Sequence, residues 1–263
     1  MTSDPGPLSK ALDNAIRNAV SGKDVGIAFS GGLDSGVVAA IAGEYAAKAR
    51  LYTVGSKDSR DVEEARSSAE ELRMEWAHIP LTEDGVKEGL REMISITGTK
   101  DPVTLSFELP LFFVCMNCEE EEIITGQGAD ELFAGYSKYI GLSGDDLKRR
   151  TAEDMRKLSE VTIPHERKVA EHFGKKIHYP FLDKEVVKEA RAADNGCAPD
   201  GSPGSRKRTL REVSDIIGCP WLSVKEKRSA QYSSGAMALI KKICRDGGMT
   251  YAELIGTLSG EEM

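Results

Sequence analysis

Apolar positions along the chain fall into helical and strand rhythms. Leu8, Ala11, Leu12, Ala15, Ile16 and Ala19 recur at helical spacing, and Ser21–Asp24 then turns the chain into an apolar run of strand length, Val25–Phe29. Val37–Ala49 reads as a second helix and Arg50–Val54 as a short strand; Val62–Leu72 reads as an amphipathic helix starting near Asp61, and Trp76–Pro80 as a third strand. Helices follow over Gly85–Ile96 and, largely apolar, Pro110–Cys118, before Glu122–Thr125 forms a fourth strand. Strands that alternate with helices through short connections predict an α/β fold with a doubly wound parallel sheet, whose ligands lie beyond the C-terminal ends of the strands. Beyond Gly141 the pattern changes to charged helices, broken by Pro164, by Tyr179–Asp183 and by the Gly/Pro/Ser-rich run Gly196–Gly204, which predicts a mainly helical C-terminal extension. No internal repeat is visible.

Length and charge narrow this picture. At 263 residues the chain exceeds a typical domain, yet α/β folds of this size commonly stay in one piece, so residues 1–263 are expected to form a single domain. A net charge of −8 disfavours a broad phosphate-binding face, and with it nucleic acid as a partner. No apolar stretch has the length to cross a bilayer and Met1–Pro7 lacks the basic and apolar parts of a signal peptide, so a cytoplasmic protein is expected. Five cysteines, an odd number, suit reduced thiols better than a disulfide framework. Cys115 and Cys118 have metal-ligand spacing, but they lie in an apolar helix without a second pair, and a metal site is not expected there.

Chemistry enters at Ser30–Gly36, S-G-G-L-D-S-G, between the first strand and the second helix. Strand, glycine-rich turn and helix start make a phosphate-binding turn, but the lysine of the kinase-type G-x-x-x-x-G-K-[ST] loop is missing. Asp34 and Ser35 stand in its place. The anion must then be held by backbone N–H groups and the positive end of the helix dipole, which leaves Asp34 to hold a metal bridging the phosphates. Thr125–Tyr136, T-G-Q-G-A-D-E-L-F-A-G-Y, repeats the logic, because a strand again delivers glycines and then an acid, Asp130. Both acids follow strands of one parallel sheet, so they can share a Mg²⁺ with phosphate oxygens. The plainer alternative makes Asp130 a helix cap and Glu131 a first-turn acid favoured by the dipole.

The first loop resembles the PP-loop of the ATP pyrophosphatase superfamily. The two loops together resemble the synthetase domain of glutamine-dependent asparagine synthetases, a family that includes β-lactam synthetase. Tyr179–Asp183 is similar to that family's P-F-L-D turn, Lys207–Glu212 to its K-x-x-L-R-E segment and Lys225–Gly235 to its lysine loop, so the resemblance runs from about Leu8 to Gly235. It implies a PP-loop, adenine nucleotide α-hydrolase-like fold, with a nucleotide-binding core at about 8–140 and a helical part at about 141–263 that carries the lysine loop. It further implies that ATP with Mg²⁺ adenylates a carboxylate, aspartate in the type case of asparagine biosynthesis. Pyrophosphate leaves, and ammonia or another amine attacks the acyl-adenylate to give an amide and AMP. Ser30, Gly31, Gly32, Leu33, Asp34, Ser35, Val54, Gly126 and Lys207 are then expected to bind nucleotide, Asp34 and Asp130 the metal, and Lys227 and Gln127 to serve catalysis. Lys225 and Arg228 compete with Lys227 for the phosphate contact, and Lys207 lies in a basic run that also reads as surface charge. The P-F-L-D segment reads as pocket wall, with Phe181 and Leu182 in a buried turn.

Three features depart from the family pattern. With the loop already at residue 30, a glutaminase domain with its nucleophilic cysteine is not expected, and the expected nitrogen source is free ammonia, a separate glutaminase partner or another amine. The residue between the glycines of the second loop, a glutamate in the familiar members, is Gln127, an amide that orients a nucleophile but cannot take its proton as a base. The stretch before Tyr179, which usually carries a glutamate and an arginine, reads Lys176–His178, where His178 can stand in as a donor. A homo-oligomer is compatible with the sequence. Two other classes share the first loop: an RNA-thiolating PP-loop enzyme, which would need a basic groove, and an ATP-binding regulatory module that lost turnover through Gln127 and His178.

Overall fold

The computed structural model describes residues 4–57, 59–193, 199–202, 204–225 and 234–260. Its helices are, in chain order, α1 (Gly6–Val20), α2 (Leu33–Tyr45), α3 (Arg60–Leu72), α4 (Glu83–Thr97), α5 (Pro102–Asn117), the short α6 (Ala129–Leu132), α7 (Gly144–Lys157), α8 (Ile163–His172), α9 (Lys184–Ala193), α10 (Arg208–Ile216), the short α11 (Pro220–Ser223), α12 (Ala236–Asp246) and α13 (Tyr251–Leu258). The strands are β1 (Asp24–Ala28), β2 (Lys48–Gly55), β3 (Glu75–Pro80), β4 (Glu122–Thr125) and β5 (Lys176–His178). They form one five-stranded sheet in the order β3-β2-β1-β4-β5, every neighbouring pair parallel. Val25 of β1 faces Glu122 of β4 and Ala28 faces Thr125. The strand order reverses at this pair, so the loops leaving β1 and β4 open side by side.

Successive strand residues point to opposite faces, and both faces are covered. Ile124 joins Val25 and Ile27 in one core, closed by α1, α2, α3, α9 and α10. Ile123 joins Tyr52 and Val54 in the other, closed by α4, α5, α8, α12 and α13. This is the doubly wound α/β architecture that the alternating pattern predicts.

The structure departs from that pattern in three places. The stretch from 141 on is not wholly helical, since β5 pairs with β4 and sets Lys176 against Glu122 and His178 against Ile124. Helix α2 begins at Leu33, inside the first glycine motif, and ends at Tyr45 rather than Ala49, because Lys48 is already paired with Asp24 across the sheet. Helix α5 begins at Pro102 and runs through Pro110. Asp101 starts it, with Oδ2 accepting the Thr104 N–H at 2.8 Å and the Thr104 hydroxyl at 2.6 Å. Between α7 and α8 a π-helical turn, Leu158–Thr162, shifts the helical register ahead of Glu166. Among the described residues no helix is long and apolar enough to cross a membrane.

Candidate active site

The loop after β1 is bent onto its own helix. Gly31 has φ 73°, and a Cβ there would lie 2.6 Å from the Ala65 Cα, so only glycine lets α3 pack this close. The Ser68 hydroxyl donates to the Gly31 carbonyl at 3.0 Å, and the Ser30 N–H donates to Ser35 Oγ at 3.2 Å. The opening N–H groups of α2 have no intrahelical acceptor, and they stand at the wall of a cavity of about 230 Å³ that Ser30, Gly32, Leu33, Asp34 and Ser35 line. A helix start presented this way suits an anion.

Asp34 and Asp130, far apart in sequence, meet in this cavity through a lysine. The Lys207 ammonium lies 2.5 Å from Asp34 Oδ2 and 2.7 Å from Asp130 Oδ1, and its side chain is 1 % exposed. Lys207 is therefore no surface charge: its backbone is left-handed at φ 57°, ahead of α10, and its N–H donates to the Phe133 carbonyl at 3.2 Å. Glu131, next to Asp130, is buried and accepts the Tyr136 hydroxyl at 2.7 Å; burial pushes its carboxyl above the ordinary range although this hydrogen bond pulls it down. It fixes Tyr136 in the cavity wall rather than merely favouring a helix start.

The rest of the wall comes from both sides of these loops. Gly126 approaches the first loop so closely that a Cβ would stand 3.1 Å from the Asp34 Cβ, and Val54 closes the wall from the end of β2. Lys225 and Ser234 line it too. Arg211 ties down the chain before Lys225, with Nε donating to the Arg206 carbonyl and Nη2 to that of Lys225, each at 3.0 Å, and Nη1 to that of Ser223. The Ser56 N–H donates to the Ser234 carbonyl at 2.9 Å. Lys227 and its competitor Arg228 lie outside the described residues.

Gln127 lines the cavity, and its Nε2 donates to Glu166 Oε1 at 2.9 Å. Glu166 comes from α8 and is 4 % exposed; burial pushes its carboxyl up to about 8, although Tyr179 and Gln127 beside it pull the other way. The two-motif reading does not reach this residue. A signal was available, because Ile163, Glu166, Val169 and Ala170 form one buried helical stripe that contains a single carboxylate. Glu108 of α5 is buried nearby with His165 Nδ1 3.3 Å from its Oε1, and burial, then the neighbouring Glu166, push it up to about 9.

These raised values set a stability trend. Below the ordinary value of 4.5 both folded and unfolded chains hold the Glu108 proton, whereas between 4.5 and about 9 only the folded chain keeps it. The stabilisation is thus complete in acid and is lost as pH rises to about 9. Glu108→Gln, which carries no titrating proton, is expected to flatten the fall in melting temperature between pH 6 and 9, on a scale of roughly 2–4 °C per kcal/mol. Thermal melts of both proteins at the two pH values check this.

Three other sequence expectations resolve away from the cavity. His178 is bonded to Glu122, near the start of β4, and does not stand in for an arginine in the pocket. Phe181 is fully buried edge-on to Phe133, centroids 5.8 Å apart, so the P-F-L-D turn supports the second loop from behind instead of lining the cavity. Cys115 and Cys118 are buried thiols that burial pushes up to about 12, and Cys118 Sγ donates to Glu120 Oε2 at 3.1 Å. Among the described residues no group of three or more His, Cys, Asp and Glu side chains gathers as a metal site.

A doubly wound sheet with two acid-bearing glycine loops at its switch point is a nucleotide-binding architecture, and comparison narrows it. The family model described as asparagine synthase matches residues 8–143, more than half of the chain, and the chain belongs to that family. A Methanocaldococcus jannaschii protein provisionally named a glutamine-hydrolysing asparagine synthetase is 26% identical over 92% of this chain and 52% of its own length. The Escherichia coli asparagine synthetase B is 23% identical over 88% of this chain and 48% of its own length. The chain thus spans about half the length of these curated relatives. Among solved structures, the NMN synthetase from Francisella tularensis aligns with 99% of this chain and 88% of its own at a TM-score of 0.49 and 17% identity.

Proposed function

We propose that the chain is an ATP-dependent ligase that adenylates a carboxylic acid, releases pyrophosphate and joins the activated acyl group to ammonia or another amine. The observation that carries this reading is the meeting of Asp34 from the β1 loop and Asp130 from the β4 loop on Lys207, in the cavity that Gln127 and Glu166 also line. A free carboxylate resists nucleophiles because oxide would have to leave; an acyl-adenylate leaves as AMP. The protein's share is to position the reactants and to neutralise developing charge.

The N-terminus of α2 would receive the triphosphate, with Val54 on the nucleotide's flank. Asp34 and Asp130 fit the oxygen donors that Mg²⁺ prefers, and a bound ion would offset charge on the phosphates and the departing pyrophosphate. Lys207, which lines the cavity, offers the same service from the protein, and Lys227 is proposed by family likeness as a second phosphate-contacting cation. Glu166 makes up for the missing glutamate at position 127. Gln127 donates to one of its oxygens, and a carboxyl held near 8 is suited to take a proton from an attacking nitrogen close to neutral pH. Aspartate, free ammonia, a glutaminase in trans and a cytoplasmic setting are part of this proposal by family likeness.

The test is a pyrophosphate-release screen over amino and other carboxylic acids, with ammonia, glutamine or amines as the second substrate. The expected outcome is AMP and pyrophosphate in equal amounts, dependent on one acid and on Mg²⁺. Turnover that yields ADP with every acid overturns the reading.

A further inference from the structure

Lys207 stands where a metal ion shared by Asp34 and Asp130 would stand, and the fold builds the place for it. Its ammonium touches both carboxylates, at 2.5 and 2.7 Å, with 1 % of the side chain exposed. Its backbone adopts φ 57°, which non-glycine residues rarely do, and is fastened to the Phe133 carbonyl. Gly135 makes room for the chain: a Cβ there would come within 2.2 Å of Lys207 Cε and 2.0 Å of Asp130 Oδ1. A left-handed backbone, a glycine cradle and two carboxylates all specify where this one ammonium sits.

The same geometry is a poor host for a lone divalent ion. Mg²⁺ asks for octahedral oxygen ligands, and among the described residues the protein gathers no group of three or more candidate ligands. What a bare ion would meet is two carboxylates whose combined charge a buried ammonium already halves, and that ammonium repels it. A polyphosphate chain changes both conditions. It brings the missing oxygens, and it offers the ammonium a new anionic partner within reach of the cavity that Lys207 already lines.

We propose that Lys207 is a positioning residue that keeps free divalent metal away from Asp34 and Asp130 and admits it only together with a nucleotide polyphosphate, the ammonium passing from the two carboxylates to phosphate oxygens as the metal–nucleotide enters. The inference rests on the reading of this cavity as a metal–ATP site.

Mn²⁺, whose free form is read by electron paramagnetic resonance, serves as the probe on the whole chain, with and without a non-hydrolysable ATP analogue at matched free Mn²⁺. The wild type is expected to take up Mn²⁺ with the analogue and to bind it more weakly alone by roughly tenfold or more, equivalent to about 1.4 kcal/mol. Lys207→Met is expected to bind Mn²⁺ alone about tenfold more tightly than the wild type and to bind the Mn²⁺–analogue complex less tightly; Lys207→Arg, which keeps the charge, should still exclude the free ion. Equal Mn²⁺ binding by the wild type with and without the analogue overturns the exclusion while leaving the metal–nucleotide reading standing. Absence of Mn²⁺ uptake both with and without the analogue overturns that reading itself. Should Lys207→Met fail to fold, as its circular dichroism would reveal, Lys207→Gln takes its place in both titrations, and unchanged binding of Mn²⁺ alone by that variant overturns the exclusion.

Discussion

Replacing Glu166 by Gln is expected to leave acid-dependent exchange of labelled pyrophosphate into ATP within a few-fold of the wild type while slowing amide formation by roughly 10²–10⁴. The two half-reactions separate because Glu166 belongs to neither glycine loop: it hangs from α8 and accepts a hydrogen bond from the Gln127 amide at the cavity wall. Adenylation joins two anions and needs cations and N–H donors, whereas the second step must remove a proton from nitrogen. The carboxyl is raised to about 8, so the base form accumulates as pH climbs through that value. Amide formation in the wild type should therefore rise with pH up to about 8 and level off, and this rise should vanish in Glu166→Gln. Equal loss of exchange and amide formation would show that Glu166 shapes the cavity without serving the nitrogen.

Asp130→Asn is expected to act on the other half. It removes one of two carboxylates that share the Lys207 ammonium, and pyrophosphate exchange should fall by roughly 10²–10³, the usual scale for losing one preorganised electrostatic contact at a reacting centre. The fold should survive, because Asp34 still neutralises the buried ammonium at 2.5 Å and the Asn side chain fills the same volume. Exchange kinetics together with a melting curve give the result; a variant that exchanges at the wild-type rate would remove Asp130 from the chemistry.

Much of the fold can be read in the sequence, because β1, β3 and β4 each open on an acidic residue and lead into apolar positions, and β2 and β3 are followed by helices with a clear apolar stripe, α3 and α4. The missed element, β5, is three residues long and too short to show a period. Pro110 misplaced the start of α5: a proline in an apolar run reads as a helix opening, but Asp101 had already capped the helix and packing in the second core carries it through. The site divides along the same line. Residues on the two glycine loops were legible as motif and spacing, since strand, turn and helix place them locally. The burial of Lys207 was not, because a lysine between Arg206 and Arg208 looks solvated until Gly135 and the paired acids are in place. Glu166 was hidden by distance, with its partner Gln127 thirty-nine residues away on another element.

The sheet uses carboxylates oppositely at its two ends. Where the strands begin, Glu122 is ringed by Lys23 at 3.1 Å, Lys176 at 3.6 Å and His178, and Arg50 holds Glu75 and Glu119 at 3.0 Å each. These pairs bind strand to strand; singly each contributes little, so each can be exchanged at small cost. Where the strands end, Asp34 and Asp130 share the buried Lys207 ammonium. Variants selected for heat resistance should accordingly accumulate along the first edge and variants selected for turnover along the second, two populations of substitutions that can be combined with little interference across the length of a strand.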